Sequence, residues 1–386
     1  MRGDTVHCLI LNRNYPPGAG ITGASANELA EYLTMQGVKV EIITTHGQYA
    51  GAGSRKAVFG QVHYLPAFYN GKNKLMRLCA NLIEGFLMAR KARELQQAPW
   101  ICMTDPPLLN FWVGRLASKL NIPWAYWSMD LFPQAFYAAK LVQPKNFIYQ
   151  FLHKSIKRHQ PNLLIALGSK QAEFIQQSYD WSIPCLILPC GVLKRNRAEA
   201  KPAWSQQNGK ILLGYAGNLG QAHEPEFILE LIRQMDTSRF HFILSTYGAK
   251  AQALLNLAKK MQGVEILETI PQNQLQFIDV HLATLSPSWD HVCVPSKAVS
   301  SICQEAALLY CGTSTNDNWH LLGDAGWHID PTANLSSQVS QFYAQLNPTR
   351  LAQKKSNAAV IAIDLQETQQ KGFAAILQFI QSNQKH

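Results

Sequence analysis

Three loops place residues able to meet an anion directly after short apolar runs. The first, Asn12-Arg-Asn-Tyr-Pro-Pro-Gly18-Ala-Gly20-Ile-Thr-Gly23, follows Val6 to Leu11 and spells G-x-G-x-x-G at Gly18, Gly20 and Gly23. Bare backbone of this kind ahead of a helix lets N–H groups approach a phosphate, and an ordinary tight turn is the alternative. A dinucleotide site needs the first glycine tight against the strand end and an acid about 20 residues on. Here six residues separate Leu11 from Gly18, and the next strand ends Thr44-Thr45-His46, which disfavours nicotinamide.

The second loop is Gly214-Tyr-Ala-Gly217-Asn218-Leu219-Gly220, ahead of a helix opened by Glu224-Pro225-Glu226. Those two glutamates would repel an anion at that helix end, so a phosphate is expected at Gly217 and Asn218. The third is Ser288-Trp-Asp-His-Val-Cys-Val-Pro295-Ser296-Lys297. Proline sets the turn, Ser296 can cap, and Lys297 falls in the first helical turn, where the helix dipole disfavours a cation by a few tenths of a kcal/mol. A nearby anionic ligand removes that conflict; a solvated lysine is the plain alternative.

Other residues carry less. His281 sits inside an apolar strand and reads as a satisfied core histidine, while His291 is no more distinctive than His223, His320 or His328. Trp124 and Trp127, near Asp130, read as core or as the wall of an acceptor pocket. The eight cysteines form no CxxC pair or zinc spacing and read as reduced core residues. No Asp-x-Asp occurs, a pairing that can hold a divalent ion against a diphosphate.

The elements that must position these loops alternate. Strands are expected at Val6–Leu11, Val38–Thr45, Trp100–Thr104, Trp124–Met129 and Leu163–Leu167, with helices from the Ser25-Ala-Asn-Glu28 capping box, at Leu75–Leu95 and at Asn110–Leu120. Gly37 stops the first helix. The pattern restarts with strands at Ile211–Ala216, Phe240–Thr246, Val264–Leu267 and Val280–Leu285 and helices at Pro225–Met235 and Ala249–Met261. The fold class is α/β: two Rossmann-like doubly wound domains facing an interdomain cleft, with ligands at the carboxyl ends of the strands. Residues 1–192 are expected to form the N-terminal domain, the polar stretch 193–208 a linker, 209–364 the C-terminal domain, and 365–386 a helix able to pack back on either half, the N-terminal domain included.

A chain of 386 residues with 47% hydrophobic and 16% charged residues is long enough for two packed cores, which excludes a disordered protein. Net charge +10 favours anionic partners: phosphates, nucleic acid or an acidic membrane surface. No recognition motif or stacking array supports nucleic acid. Basic, aromatic helices at Arg77–Arg93 and Lys145–His159 can lie on an anionic bilayer or simply face solvent. Without an apolar run of about 18 residues or signal-peptide pattern, the protein is expected in the cytoplasm, at most peripheral at the inner face of the plasma membrane.

The segments YPPGAGITG (15–23), NELAEYLTMQGVKVEIIT (27–44), LPCGV (188–192), YAGNLG (215–220) and VPSK (294–297) resemble, in order and over most of the chain, bacterial glycosyltransferase family four, the retaining GT-B enzymes. The chain resembles especially the envelope and exopolysaccharide transferases with a VPSK segment, including the cyanobacterial heterocyst-envelope polysaccharide type.

The resemblance implies transfer of a hexose, with glucose favoured, from a UDP-sugar to a saccharide or lipid-linked saccharide, without a metal or other cofactor. It implies that Gly18 and Gly20 approach the diphosphate, that Gly217, Asn218, Leu219, Pro295, Ser296 and Lys297 hold it, and that Thr269 and Ile270 face the uracil. Asp130 resembles the polar residue below the transferred sugar. Retention in the family is described as front-face attack, in which the departing diphosphate oxygen takes the acceptor proton. The motif departs from its relatives at two places. Ser300 stands where relatives have the ribose-binding glutamate, leaving Ser300, Ser301 and Glu305 as candidates, and PNGVD is PCGVL here. Two alternatives follow: a UDP-sugar epimerase of the same fold, or a catalytically degenerate nucleotide-binding scaffold.

Overall fold

The computed structural model describes residues 6–18, 20–46, 57–69, 74–95, 99–194, 200–207 and 209–384, without the side chains of residues 74 and 75. The chain divides into two compact units, Met1–Cys190 with Thr368–His386, and Gly191–Glu367.

In the first unit the order is β1 (His7–Leu11), α1 (Ile21–Met35), β2 (Lys39–Thr45), β3 (Gln61–Leu65), α2 (Lys74–Leu95), β4 (Trp100–Cys102), α3 (Leu109–Leu120), β5 (Trp124–Ser128), α4 (Gln134–Ala138), α5 (Phe147–Arg158), β6 (Leu163–Ala166), α6 (Ser169–Tyr179) and β7 (Cys185–Ile187). Among the described residues these strands form one sheet ordered β3-β2-β1-β4-β5-β6-β7, with every pairing parallel. Helices cover both faces of such a sheet, so its central strands read as unbroken apolar runs. Cys8 to Leu11 and Trp100 to Cys102 are indeed fully buried. The order in which the chain lays down its strands reverses between β1 and β4, which opens a crevice at their carboxyl ends.

Helix α1 begins at Ile21, four residues before the expected capping box, and no side chain caps it. Gly20, at φ +129°, turns the chain straight into the helix, a conformation closed to Ser25, which instead lies buried within α1. Edge strands β3 and β7 and helices α4 and α6 were not among the expected elements, nor were the later strands Ala307–Cys311 and Gly326–Ile329 or the helices Asp317–Leu322 and Leu335–Gln345. Trp124 and Trp127 are buried in β5, which makes them core residues rather than an acceptor wall. Of the eight free cysteines, Cys79 and Cys185 are exposed and Cys293 half-buried, a correction to the core reading.

The second unit runs β8 (Ile211–Asn218), α7 (Pro225–Arg233), β9 (Phe240–Tyr247), α8 (Ala251–Ala258), β10 (Val264–Ile266), β11 (Val280–Thr284), α9 (Ser296–Cys303), β12 (Ala307–Cys311), α10 (Asp317–Leu322), β13 (Gly326–Ile329), α11 (Leu335–Gln345) and α12 (Pro348–Ser382). Its described strands pair in the order β10-β9-β8-β11-β12-β13, all parallel, so here the reversal falls between β8 and β11. Phe227 and Ile228 of α7 pack with Tyr215, Phe242 and Val339 in one core, and Ala298, Val299 and Ile302 of α9 pack with Ala283, Leu285 and Tyr310 in another. Within the stretch 193–208, Leu193 and Trp204 are buried against this unit, while residues 195–199 and 208 lie outside the described residues.

Helix α12 is longer than the amphipathic run from Leu365 to Ser382. Its first turns belong to the second unit, and from Thr368 it belongs to the first. There Phe373 meets Tyr32 with ring centroids 5.6 Å apart, and the Gln384 side chain after the helix bonds both backbone groups of His7 at 2.8 and 3.1 Å.

Candidate functional site

The second unit gathers its polar groups at the strand reversal. Strand β8 runs past Ala216 to Asn218, so Gly217 and Asn218 are its last residues rather than a free loop. Gly217 sits at φ +119°, and a Cβ there would lie 2.7 Å from Cε of Lys297. That close approach mounts the lysine. Its Nζ donates to the Tyr215 hydroxyl at 2.8 Å and to the Asn218 carbonyl, and it lies 4.6 Å from the Tyr215 ring centroid. Lys297 is half-buried rather than solvated, and burial pushes its pKa down to about 7. An ammonium held in this way loses part of its hydration and gains by meeting an anion.

Around it, Pro295 is the N-cap of α9, Ser296 its first residue, and no side-chain cap forms, so Ser296 is not the expected cap. Asp290 anchors the preceding loop by accepting from Thr315 Oγ1 at 2.7 Å and Asn316 Nδ2 at 3.0 Å. His291, at φ +62°, lies beside that carboxylate at 3.4 Å, and His281 is buried with Nε2 2.9 Å from the Leu275 carbonyl. Leu219 is fully buried and anchors the loop through its backbone, its N–H donating to Tyr247 O at 2.6 Å. Glu224, whose backbone N–H donates to Thr284 Oγ1 at 3.2 Å, accepts from the Ser286 hydroxyl.

Lys250 was missed in the sequence. Its Nζ donates to the His223 carbonyl at 2.6 Å. The His223 imidazole is driven down to about 3 by burial first and then by the Lys297 and Lys250 charges, so both cations stand close to one short loop. The signal available was the second positive charge following a strand exit, Tyr247-Gly-Ala-Lys250.

The ribose candidates separate. The Ser300 hydroxyl donates to the Gly191 carbonyl at 2.8 Å, and Ser301, buried, donates back to the Lys297 carbonyl at 2.6 Å. Glu305 takes φ +58° just past the α9 C-cap. At a rise of about 1.5 Å per residue it lies roughly 12 Å along the axis from the Lys297 end. Thr269 and Ile270 follow β10, two strand spacings or about 10 Å from β8. Thr269 is exposed, whereas Ile270 packs against the cluster of Trp204, Leu212, Ile243 and Ile278.

In the first unit the reversal between β1 and β4 carries a second polar group. Arg13 N donates to the Asp105 carbonyl at 2.6 Å, its Nε pairs with the buried Glu84 at 2.6 Å, and the Asn14 amide donates to the Asp105 carboxylate. Thr104 at the β4 exit accepts from the backbone N–H groups of Met129 and Asp130 at 2.7 and 3.3 Å, fixing the turn that carries Asp130. The Asp130 side chain reaches solvent, yet the protein crowding it raises its pKa to about 6. Asp105 is raised to about 6 as well: burial outweighs the opposing Arg13 charge, and Asp130 and Glu84 add to the rise. Sequence reasoning found Asp130 but not Asp105, Asn14 or Thr104, although Thr-Asp-Pro-Pro at a strand exit and Asn-Arg-Asn at the first were legible. Gly18 N donates to Tyr15 O at 3.1 Å and Gly20 caps α1, with Ala19 between them outside the described residues.

Among solved structures, 350 chains match this one. One is HepE from Anabaena in complex with UDP-glucose, 14% identical, TM-score 0.67, covering 96% of this chain and 99% of that one. The fold is GT-B. Other GT-B neighbours are a trehalose-6-phosphate protein from E. coli bound with UDP-2-fluoro glucose (11% identity, TM-score 0.68, 97% and 99% covered) and a glycosyltransferase from Rickettsia africae (11%, 0.65, 98% and 100%). No protein-family model matches the sequence, and no curated protein matches it. The GT-B architecture is therefore preserved at identities of 11 to 15%. Among the described residues no helix is long and apolar enough to cross a membrane, and no three His, Cys, Asp or Glu side chains converge as a metal-binding group.

Proposed function

We propose that this chain transfers a hexosyl group, glucose being favoured, from a UDP-sugar to a saccharide or lipid-linked saccharide, with retention of configuration and in the service of envelope polysaccharide synthesis. The observation that carries the reading is the half-buried Lys297 ammonium, pinned by Tyr215 and Asn218 beside Gly217 at the strand reversal of the second unit. In an open parallel sheet that position takes the ligand. Support also comes from GT-B neighbours whose structures hold UDP-glucose or UDP-2-fluoro glucose.

In this reading the diphosphate meets Lys297 and the Gly217–Asn218 backbone, with Leu219, Pro295 and Ser296 shaping the loop. The uracil lies toward Thr269 and Ile270. Ser300 and Glu305 remain the ribose candidates in this scheme; Ser301 serves as a helix hydroxyl. As the C1–O bond to the diphosphate breaks and the acceptor oxygen bonds C1, the acceptor proton passes to the departing diphosphate oxygen. Lys297 stabilises the charge growing on that leaving group, so a divalent ion is not required. Asp130 positions the sugar or opposes positive charge on its ring. Gly18 and Gly20 belong to the approach of the same group. A lipid-linked acceptor brings the chain to the inner face of the plasma membrane.

Incubation with a panel of UDP-, GDP- and dTDP-sugars, following nucleotide release with and without oligosaccharide acceptors, tests the reading. Release from UDP-sugars stimulated by acceptor supports it; an isomerised sugar nucleotide without acceptor supports an epimerase instead. Tight UDP binding with no turnover of any donor points to the scaffold reading.

A further inference from the structure

Positive charge in this chain is concentrated. Helices α2, α3 and α5 pack side by side on the first unit, and from Met76 onward they hold nine Lys or Arg and two Glu, against +10 for the whole chain. Glu84 is buried under Arg13, Glu94 is paired with Arg90 and Lys91 at 3.8 and 3.2 Å, and Lys157 is paired with the neighbouring Asp180 at 3.2 Å, so this face shows water a strongly net-cationic surface. The same helices expose apolar side chains where a soluble face would carry polar ones. Met76, Ile83 and Phe86 form one stripe along α2, 54%, 48% and 47% exposed. On α5, Phe147, Ile148 and Phe151 are 78%, 52% and 56% exposed. Aromatic contacts join the two stripes: Phe86 to Trp112 at 5.3 Å, Trp112 to Phe111 at 5.0 Å and Phe111 to Phe151 at 6.0 Å.

We propose that this three-helix face docks on an anionic lipid bilayer, its exposed Phe and Ile side chains entering the headgroup boundary while its Lys and Arg side chains meet lipid phosphates. An apolar stripe within a cationic field is the pattern that interfacial helices use. A second copy of the chain is disfavoured as the occupant because it would bring two like-charged faces together. The surface extends the lipid-linked acceptor of the proposed function and rests on that reading for its purpose. Its test needs no sugar transfer, so the two fail separately.

The full chain is floated with vesicles of phosphatidylcholine containing about three-tenths phosphatidylglycerol, and with pure phosphatidylcholine, at low and high salt. Binding should require the anionic lipid and weaken with salt. Lys154→Gln should reduce partitioning about fivefold. Phe147→Ser with Ile148→Ser should reduce it about tenfold while leaving the thermal midpoint and turnover of a soluble acceptor unchanged. Four results would overturn the proposal: no vesicle binding at low salt, equal binding to neutral vesicles, undiminished binding by the Phe147/Ile148 variant, or a dimer that this variant abolishes. Nucleotide release in solution without vesicle binding would leave the transferase reading standing and remove this one.

Discussion

Lys297 makes the affinity for a diphosphate depend on pH in a calculable way. Burial holds the free lysine near pKa 7, and only its protonated form attracts an anion. The protonated fraction is about nine-tenths at pH 6 and about one-tenth at pH 8. Provided the bound lysine stays charged, UDP-glucose should bind roughly tenfold more weakly at pH 8 than at pH 6, and roughly a hundredfold more weakly at pH 9. UDP-glucose is the better probe because its diphosphate, esterified at both ends, does not titrate in this range. Nor does His223, held near 3. Titration calorimetry in buffers of different ionisation enthalpy should show about 0.9 proton taken up on binding at pH 8 and almost none at pH 6. Lys297→Met should lose a charged hydrogen bond of about 1.5–3 kcal/mol, a roughly 10- to 150-fold fall in affinity at pH 6, and should flatten the profile. The unliganded protein offers an internal check. Its unfolded lysine titrates near 10.5, so stability contributed at this site rises as pH climbs through the window between about 7 and 10.5. A pH-independent affinity, or binding without proton uptake, refutes this chain of reasoning.

Three further outcomes follow from the same geometry. Gly217→Ala should cost about 1–3 kcal/mol from its φ and displace Lys297, lowering the thermal midpoint and donor affinity together, whereas Gly220→Ala, with no atom within 3.4 Å of the added Cβ, should change neither. Asp130→Asn should remove an acid limb near pH 6 from the turnover profile; the raised Asp105 and Asp130 also mean that wild-type stability grows as pH falls from about 7 toward 4, and the variant should show less of that growth in denaturant titrations. Thr104→Val should cost about 1–3 kcal/mol by leaving the Met129 and Asp130 N–H groups unpaired, and should reduce turnover more than donor affinity, as separate kcat and binding measurements would show.

The strands that were legible in the sequence wrote themselves as apolar runs: Cys8 to Leu11, Trp124 to Met129 and Val280 to Leu285 needed no partner to be recognised, whereas the equally buried run Ala307 to Cys311 of β12 was passed over. Edge strands such as β3, half exposed along its length, offer no such run. The start of α1 was misplaced since Ser25 and Glu28 have capping spacing, while the turn that begins the helix depends on one glycine dihedral. Lys297 could be singled out by its awkward place in a first helical turn, but its burial is set by Tyr215 and Gly217, 82 and 80 residues away in sequence. Asp105 and Asn14, separated by 91 residues, meet only because β1 and β4 are neighbours in the sheet. Pairings of that kind are properties of the topology and are invisible to local patterns.

The central claim is that a nucleoside diphosphate is held by the second unit at the end of β8. A crystal structure with bound UDP tests it most directly. A phosphate oxygen should lie within hydrogen-bonding distance of Lys297 Nζ and against the backbone at Gly217 and Asn218; nucleotide density away from these residues, or no density at saturating UDP, contradicts the claim.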